Sequence, residues 1–430
     1  MRLTSLFRYG VFTLLSLFCT SALSQAQYRA DLSKLVVVGD SLSAGEQNFS
    51  LLDTQQVNGY ASVIARQANV PLTLPLIPFP GAPNVLQLTS LNPLTIAPAP
   101  NPSPNSLPNP HRDNPCTQPT NLATPGVSLE QALTLAPSST IANPLEGWVD
   151  LVLGFPNPLD PACGNSGPAL TQIQQAVALQ PTAIIEYLGN DDALLPALIG
   201  QLSTLTPLST FASSYDAALD ALKQTHASII TATIPDVSKV PYFTSVPTLA
   251  KQVNLPPSVV AAKLGIGVGD LLLPTASPKA LSILSNQSEG PLPAVCPAPP
   301  LSLPVATVPC VLTASDVAYL QGTIDAYNVI IFAESFAHGA AVVDIHALVD
   351  GLAQNGYKAD GKHLTTQFLG GIVSLDGIHP TNTGYAIIAN AFIQVMNSSW
   401  GTNIRPANVD EIAAHDPLVP PVHVTPTTSH

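Results

Sequence analysis

Apolar runs and helix-spaced apolar stripes alternate along most of this chain. Runs rich in Val, Ile and Ala predict buried strands at Leu35–Val38, Ala183–Leu188, Ser228–Ile234 and Ala341–Ile345. Apolar residues recurring every three to four positions predict helices at Tyr60–Gln67, Leu170–Leu179, Phe211–Gln224, Ser315–His338 and Thr383–Met396. Strand-helix alternation implies a doubly wound parallel α/β sheet. Two Pro- and Leu-rich, charge-poor segments, about 71–119 and about 241–309, interrupt the pattern. Placed at strand ends, such insertions are expected to build a lid or pocket wall rather than a second domain. The core is expected over 31–400, and the tail 401–430, with Pro406, Pro417, Pro420, Pro421 and Pro426, as an extended strap or partly disordered.

Composition narrows the class. In 430 residues, 46% hydrophobic and 10% charged side chains supply a sizeable core and exclude a disordered chain. Formal charge is −13, which argues against a nucleic-acid or anionic-membrane partner. Residues 1–26 carry Arg2 and Arg8, an apolar stretch from Val11 to Cys19, and small residues around Ala22-Leu23-Ser24. That is the pattern of a cleaved secretory signal, and the apolar stretch is shorter than the roughly 20 residues that span a bilayer. The mature chain is therefore expected to be secreted or periplasmic, with no stable membrane span. Phe18 before Cys19 disfavours a lipoprotein signal. Cleavage leaves Cys116, Cys163, Cys296 and Cys310, an even number that in an exported chain favours two disulfides. Three pairings are open, and Cys116–Cys163 with Cys296–Cys310 is the simplest. The spacings do not match a metal site.

Candidate chemistry begins where the first strand ends. Val36-Val37-Val38-Gly39-Asp40-Ser41-Leu42 delivers a serine to a tight turn beyond a buried strand, where sites in open α/β sheets form. A serine hydroxyl needs a base and an orienting carboxylate. Asp376-Gly377-Ile378-His379-Pro380 offers both three residues apart, with Pro380-Thr381-Asn382-Thr383 as a turn and helix cap behind them. An acyl-transfer site also needs donors for an oxyanion. Asn190, in Tyr187-Leu188-Gly189-Asn190-Asp191-Asp192, offers a side-chain amide past another strand, and the Gly126 and Ser41 N–H groups offer two more donors. His111, His226, His338, His346, His363, His415, His423 and His430 read as solvated or hydrogen-bonded histidines. Gly265-Ile266-Gly267-Val268-Gly269 follows no strand and lacks Gly-Lys-Ser/Thr, so it is no phosphate loop.

Gly39-Asp40-Ser41-Leu42, Gly126, Gly189-Asn190-Asp191 and Asp376-x-x-His379, in that order, resemble the four blocks of the SGNH hydrolase superfamily, also called the GDSL esterases and lipases. The resemblance implies a flavodoxin-like α/β/α sandwich. It also implies Ser41 as nucleophile, His379 as base and Asp376 as its orienter, with Ser41, Gly126 and Asn190 lining the oxyanion hole. No metal or organic cofactor is implied. The 71–119 insertion lengthens the gap between the first two blocks and leaves Gly81 as a rival to Gly126. Gly126 is preferred because Asn121 precedes it by five residues, as the family's second block resembles. Lipases, arylesterases, thioesterases and carbohydrate deacetylases all fall within the resemblance. The apolar stretches Leu72–Phe79 and Leu271–Pro274, with only two tryptophans, point to an acyl chain rather than a sugar, and so to a small-molecule or lipid ester. A carboxylic ester hydrolase acting on acyl-lipid or similar apolar esters is therefore expected. A glycan O-acetyl esterase is the alternative enzyme, and a catalytically silent lipid- or surface-binding protein on the same scaffold is the alternative class.

Overall fold

The computed structural model of the chain describes residues 29–100, 111–138, 140–154, 168–298 and 306–422. The predicted leader, Cys163, His423, Pro426 and His430 lie outside them. Strands β1 (Leu35–Gly39), β2 (Ala183–Tyr187), β3 (Ser228–Ala232) and β4 (Ala341–Val343) form a parallel sheet in that order, each inside or beside a run predicted from the sequence. The third run ends early because the Asn328 side chain takes over Ile234, accepting from its N–H (2.7 Å) and donating to its carbonyl (2.9 Å).

Residues 120–124 run parallel to β1 on its free side: Val37 N–H donates to Thr120 O (2.9 Å), Leu122 N–H to Val37 O (2.9 Å), and Thr124 N–H to Gly39 O (3.0 Å). Counting that segment second along the chain, the spatial order reads 2-1-3-4-5, the flavodoxin-like arrangement, whose crevice lies beyond the strand where the order reverses. That strand is β1. Its end carries Ser41.

The helices that position the site are α1 (Ser41–Ala44), α2 (Tyr60–Ala68), α3 (Pro144–Leu153), α4 (Gln172–Ala178), α5 (Asn190–Leu198), α6 (Leu208–Lys223), α7 (Ala314–His338) and α8 (Asn382–Trp400). Side chains of β1 alternate between two cores. Val36 and Val38 join Phe211, Leu219 and Ile324 of α6 and α7 on one face, while Leu35 and Val37 join Tyr60 and Phe392 of α2 and α8 on the other. Burial on both faces explains why the strand is apolar at every position, and each such side chain contributes about 1.5–3 kcal/mol.

A polar pin locks the end of β1. Gln172 is fully buried; its Oε1 accepts from Gly39 N–H (3.1 Å), and its Nε2 donates to Gly39 O (2.9 Å) and Leu122 O (2.9 Å). Gln172→Leu strands these groups in an apolar interior, at an expected cost of about 2–3 kcal/mol. Urea unfolding should show a lower midpoint at unchanged slope; a midpoint within error of wild type would rule the pin out.

Several segments depart from the sequence reading. The 241–309 insertion folds around its own apolar cluster, with Leu249, Val260, Leu264, Leu272 and Ile283, stapled by the Cys296–Cys310 disulfide. Leu272, expected to wall an acyl site, is buried in that cluster. The first insertion lies against the main body because Gln56 holds it, accepting from Ile77 N–H (2.9 Å) and donating to Pro75 O (3.0 Å). Cys116 is disulfide-bonded. Helix α3 was not anticipated by its periodicity, yet its start is written in Asn143-Pro144-Leu145-Glu146: Asn143 caps it by accepting from Glu146 N–H (3.0 Å), with Pro at the first helical position. The described part of the tail, 401–422, is not simply an extended strap. Residues Val409–His415 form a helix whose Val409 and Ala413 pack beside α8, and Asp416 accepts from both the N–H and hydroxyl of Thr383 (2.8 Å each). No helix among the described residues is long and apolar enough to cross a membrane.

Candidate active site

The turn after β1 is built for close approach. A Cβ on Gly39 would lie 2.3 Å from Ser43 Oγ and 2.9 Å from Tyr187 O, so only glycine fits. Asp40 then caps α1, its Oδ1 accepting from Leu42 N–H (3.1 Å). Ser41 occupies the first helical position, where a backbone N–H has no partner within its helix.

Asp376 organises the opposite wall. Its Oδ1 accepts from the N–H groups of Ile378 (2.7 Å) and His379 (2.8 Å), folding the turn onto itself. Its Oδ2 accepts from Phe49 N–H (2.7 Å) and His379 Nδ1 (2.9 Å). An ionised carboxylate only accepts, so Nδ1 carries a proton, and in the neutral ring Nε2, 2.9 Å from Ser41 Oγ, is left to accept from that hydroxyl. Ser41, Asp376 and His379, 338 residues apart in the chain at the extremes, thus form one hydrogen-bonded line.

Two further groups meet there. Asn190 opens α5 and donates one amide hydrogen from Nδ2 to Asp40 Oδ2 (2.8 Å), and with Ser41 it lines a cavity. Gly126, at φ +77°, lines a cavity together with Ser41 and His379. Gly81 packs against Ser50 and Leu51 instead and is not among the residues lining the cavities at Ser41. Asn121 acts at a distance: its side chain donates to Ser43 O (2.9 Å) and accepts from Ala123 N–H (3.1 Å), tying α1 to the 120–124 segment.

Two cavities converge on Ser41 and His379. One, of about 90 Å³, is walled by apolar side chains including Val240, Val349, Leu352, Ile372 and Ile388. The other, of about 440 Å³, is lined by Phe49, Leu145, Trp148 and Leu195, and by two acids, Glu46 and Asp191. Among the described residues of the two insertions, only Pro83 and Pro241 reach these walls; α3, α5 and the strand-end loops supply most of the rest.

Sequence reasoning missed Glu46. Its Oε2 lies 4.0 Å from His379 Nε2, and the residue is 5% exposed. Asp191 stands beside Asn190 in the sequence, but nothing there reveals that it is 4% exposed with Oδ2 unpartnered. Burial pushes Glu46 up to about 7 and Asp191 well above the usual carboxylate range. Burial would raise Asp376 too, but the His379 charge and the hydrogen bonds from His379 and Ile378 hold it below its ordinary value. For His379, burial acts to lower the pKa, and the Asp376 and Glu46 carboxylates outweigh it, raising it to about 9. The imidazolium therefore stabilises the fold fully below its unfolded value of 6.5, and that contribution is lost as pH rises through about 9. NMR titration of the His379 ring should show a midpoint near 9 in the wild type and a lower one in Glu46→Gln. A midpoint indifferent to Glu46 would contradict the coupling.

The remaining histidines stand apart from this site. His346 Nδ1 meets Ile234 O (3.0 Å), and His338 Nε2 meets Asp220 (3.0 Å). His111, His226, His363 and His415 are exposed. Asp216, Glu334 and His338 are the only group among the described residues whose candidate metal-ligand atoms lie within 4.8 Å of one another, on the outer side of α6 and α7.

No known family model matches the chain, and no curated relative matches it. Solved structures do. An α/β hydrolase enzyme from the metagenome of Lake Arreo, Spain, is 13% identical with a TM-score of 0.38, over 87% of this chain and 100% of the other. A protein described as a GDSL-like lipase from Parabacteroides merdae is 11% identical at 0.36, over 87% and 99%. Phospholipase A1 from Streptomyces albidoflavus is 11% identical at 0.35, over 86% and 100%.

Proposed function

We propose that this chain is a serine carboxylic ester hydrolase of the SGNH, or GDSL, type. The hydrogen-bonded line Asp376–His379–Ser41 supports the reading most directly. Ser41 Oγ attacks the ester carbonyl as its proton passes to His379 Nε2, and Asp376 holds the imidazolium that forms. The N–H groups of Ser41 and Gly126 and the Asn190 amide receive the oxyanion, each such donor being worth about 10²–10³ in turnover. Collapse expels the alcohol, which takes the proton back from Nε2. Water, activated by the same histidine, then attacks the acyl-enzyme and releases the acid.

The polarity of the two cavities supports a placement of the two halves of the substrate. A hydrocarbon chain against Glu46 and Asp191 would leave buried carboxyls without partners, so the acyl chain takes the apolar cavity. At about 90 Å³ that cavity is smaller than the roughly 150 Å³ void that holds benzene, which favours short acyl groups over long lipid tails. The Cys296–Cys310 disulfide supports maturation in an oxidising compartment, and hence export.

Hydrolysis of p-nitrophenyl esters from acetate to palmitate tests both points. Turnover is expected to peak at acyl chains of about four to six carbons. Acetate alone as substrate would favour the O-acetyl esterase. An absence of Ser41-dependent turnover on every ester would favour the binding protein.

A further inference from the structure

The larger cavity holds chemistry that ester cleavage as such does not require. Glu46 and Asp191 both line it, both are more than nine-tenths buried, and no lysine or arginine shares the wall. Asp191 Oδ2 has no hydrogen-bond partner. Unpaired buried carboxyls are costly, and they call for a counter-charge or donor from whatever fills the space. Trp148 and Phe49 add aromatic rings to the same wall, and aromatic faces attract cations, most strongly where water is excluded. Glu46 also lies 4.0 Å from His379 Nε2, the atom that returns a proton to the departing alcohol. The acids therefore sit on the leaving-group side.

We infer that the larger cavity is a leaving-group subsite for alcohols that carry an ammonium group, so that esters of amino alcohols are the favoured substrates. This rests on the ester-hydrolase reading and names the alcohol half of its substrate. A cation seated there gives Asp191 the partner it lacks and adds to the charge that His379 already sets against Glu46, with the rings of Trp148 and Phe49 beside it. At about 440 Å³ the cavity is within the usual range of small-ligand sites and has room for a trimethylammonium group. An anionic alcohol would meet two acids and no lysine or arginine.

The test compares butyrylcholine with 3,3-dimethylbutyl butyrate, its uncharged isostere, using p-nitrophenyl butyrate as reference. The choline ester is expected to have a kcat/KM at least about tenfold higher than the isostere, matching one buried cation–aromatic contact or more. Asp191→Asn should pull that ratio toward one. Because the variant could fold poorly, the wild type offers a second reading: tetramethylammonium should inhibit p-nitrophenyl butyrate hydrolysis competitively, and the neutral neopentyl alcohol should not. Equal kcat/KM for charged and uncharged esters, with Ser41-dependent hydrolysis of the p-nitrophenyl ester intact, would overturn the subsite and leave the hydrolase standing. Failure of all three esters would overturn both.

Discussion

Ser41→Ala is expected to lower kcat on p-nitrophenyl butyrate by about 10⁶, while the protein stays folded. The reason is covalent: without Oγ no acyl-enzyme forms, and His379 is left to direct water from a position set for another atom. The oxyanion donors and the binding cavities remain, so about 10³–10⁴ over the uncatalysed rate should survive. Stability should change little, because the Ser41 side chain has one hydrogen-bond partner, His379 Nε2, and alanine suits the first position of α1. The paired measurement is initial rate and thermal midpoint on the same preparation. More than one hundredth of wild-type turnover in a folded variant would exclude Ser41 as the nucleophile.

Asp376→Asn is expected to cost about 10⁴ in kcat. Four hydrogens converge on the two carboxylate oxygens, from Phe49, Ile378, His379 N–H and His379 Nδ1. An amide has one oxygen and one NH₂, so in either orientation it turns donors against donors. With NH₂ toward the ring, Nδ1 must accept, the proton moves to Nε2, and Ser41 loses its base. With NH₂ toward the backbone, the N–H groups of Ile378 and His379 lose the one oxygen that accepts them both. Some stability is lost as well, because the bond to Phe49 ties the 46–51 segment, Glu46 included, to this wall. Kinetic and structural effects separate by comparing kcat at a temperature well below the melting point of the variant. A folded Asp376→Asn protein within tenfold of wild-type kcat would dismiss the proposed role.

Parts of this site were legible in one dimension because they are local. Asp376 and His379 are three residues apart, and a carboxylate that accepts the N–H groups of its own turn needs nothing distant to orient it. The Gly39-Asp40-Ser41 turn is similarly self-contained, a strand end, a helix cap and the first helical residue in sequence. The apolar strands could be read because burial on both faces leaves no polar position in the pattern. Helix α3 shows the limit: its cap signals are present, but it is a short helix inside a Pro-rich stretch.

Sequence alone pointed to strands β1–β4, the main helices and Ser41, Asp376 and His379 as candidates, since periodicity marks the elements and each candidate sits in a short self-contained turn. Tertiary structure decided which glycine faces Ser41, which segments wall the cavities, and what surrounds the histidine. Gln172 reaches β1 across 133 residues, and Asn190 reaches Asp40 across 150. Glu46 and Asp191 look like ordinary surface acids in the sequence. Only folding removes them from water, and desolvation, which depends on every neighbour at once, is what raises the pKa of two common side chains and leaves them as the acidic wall of a cavity.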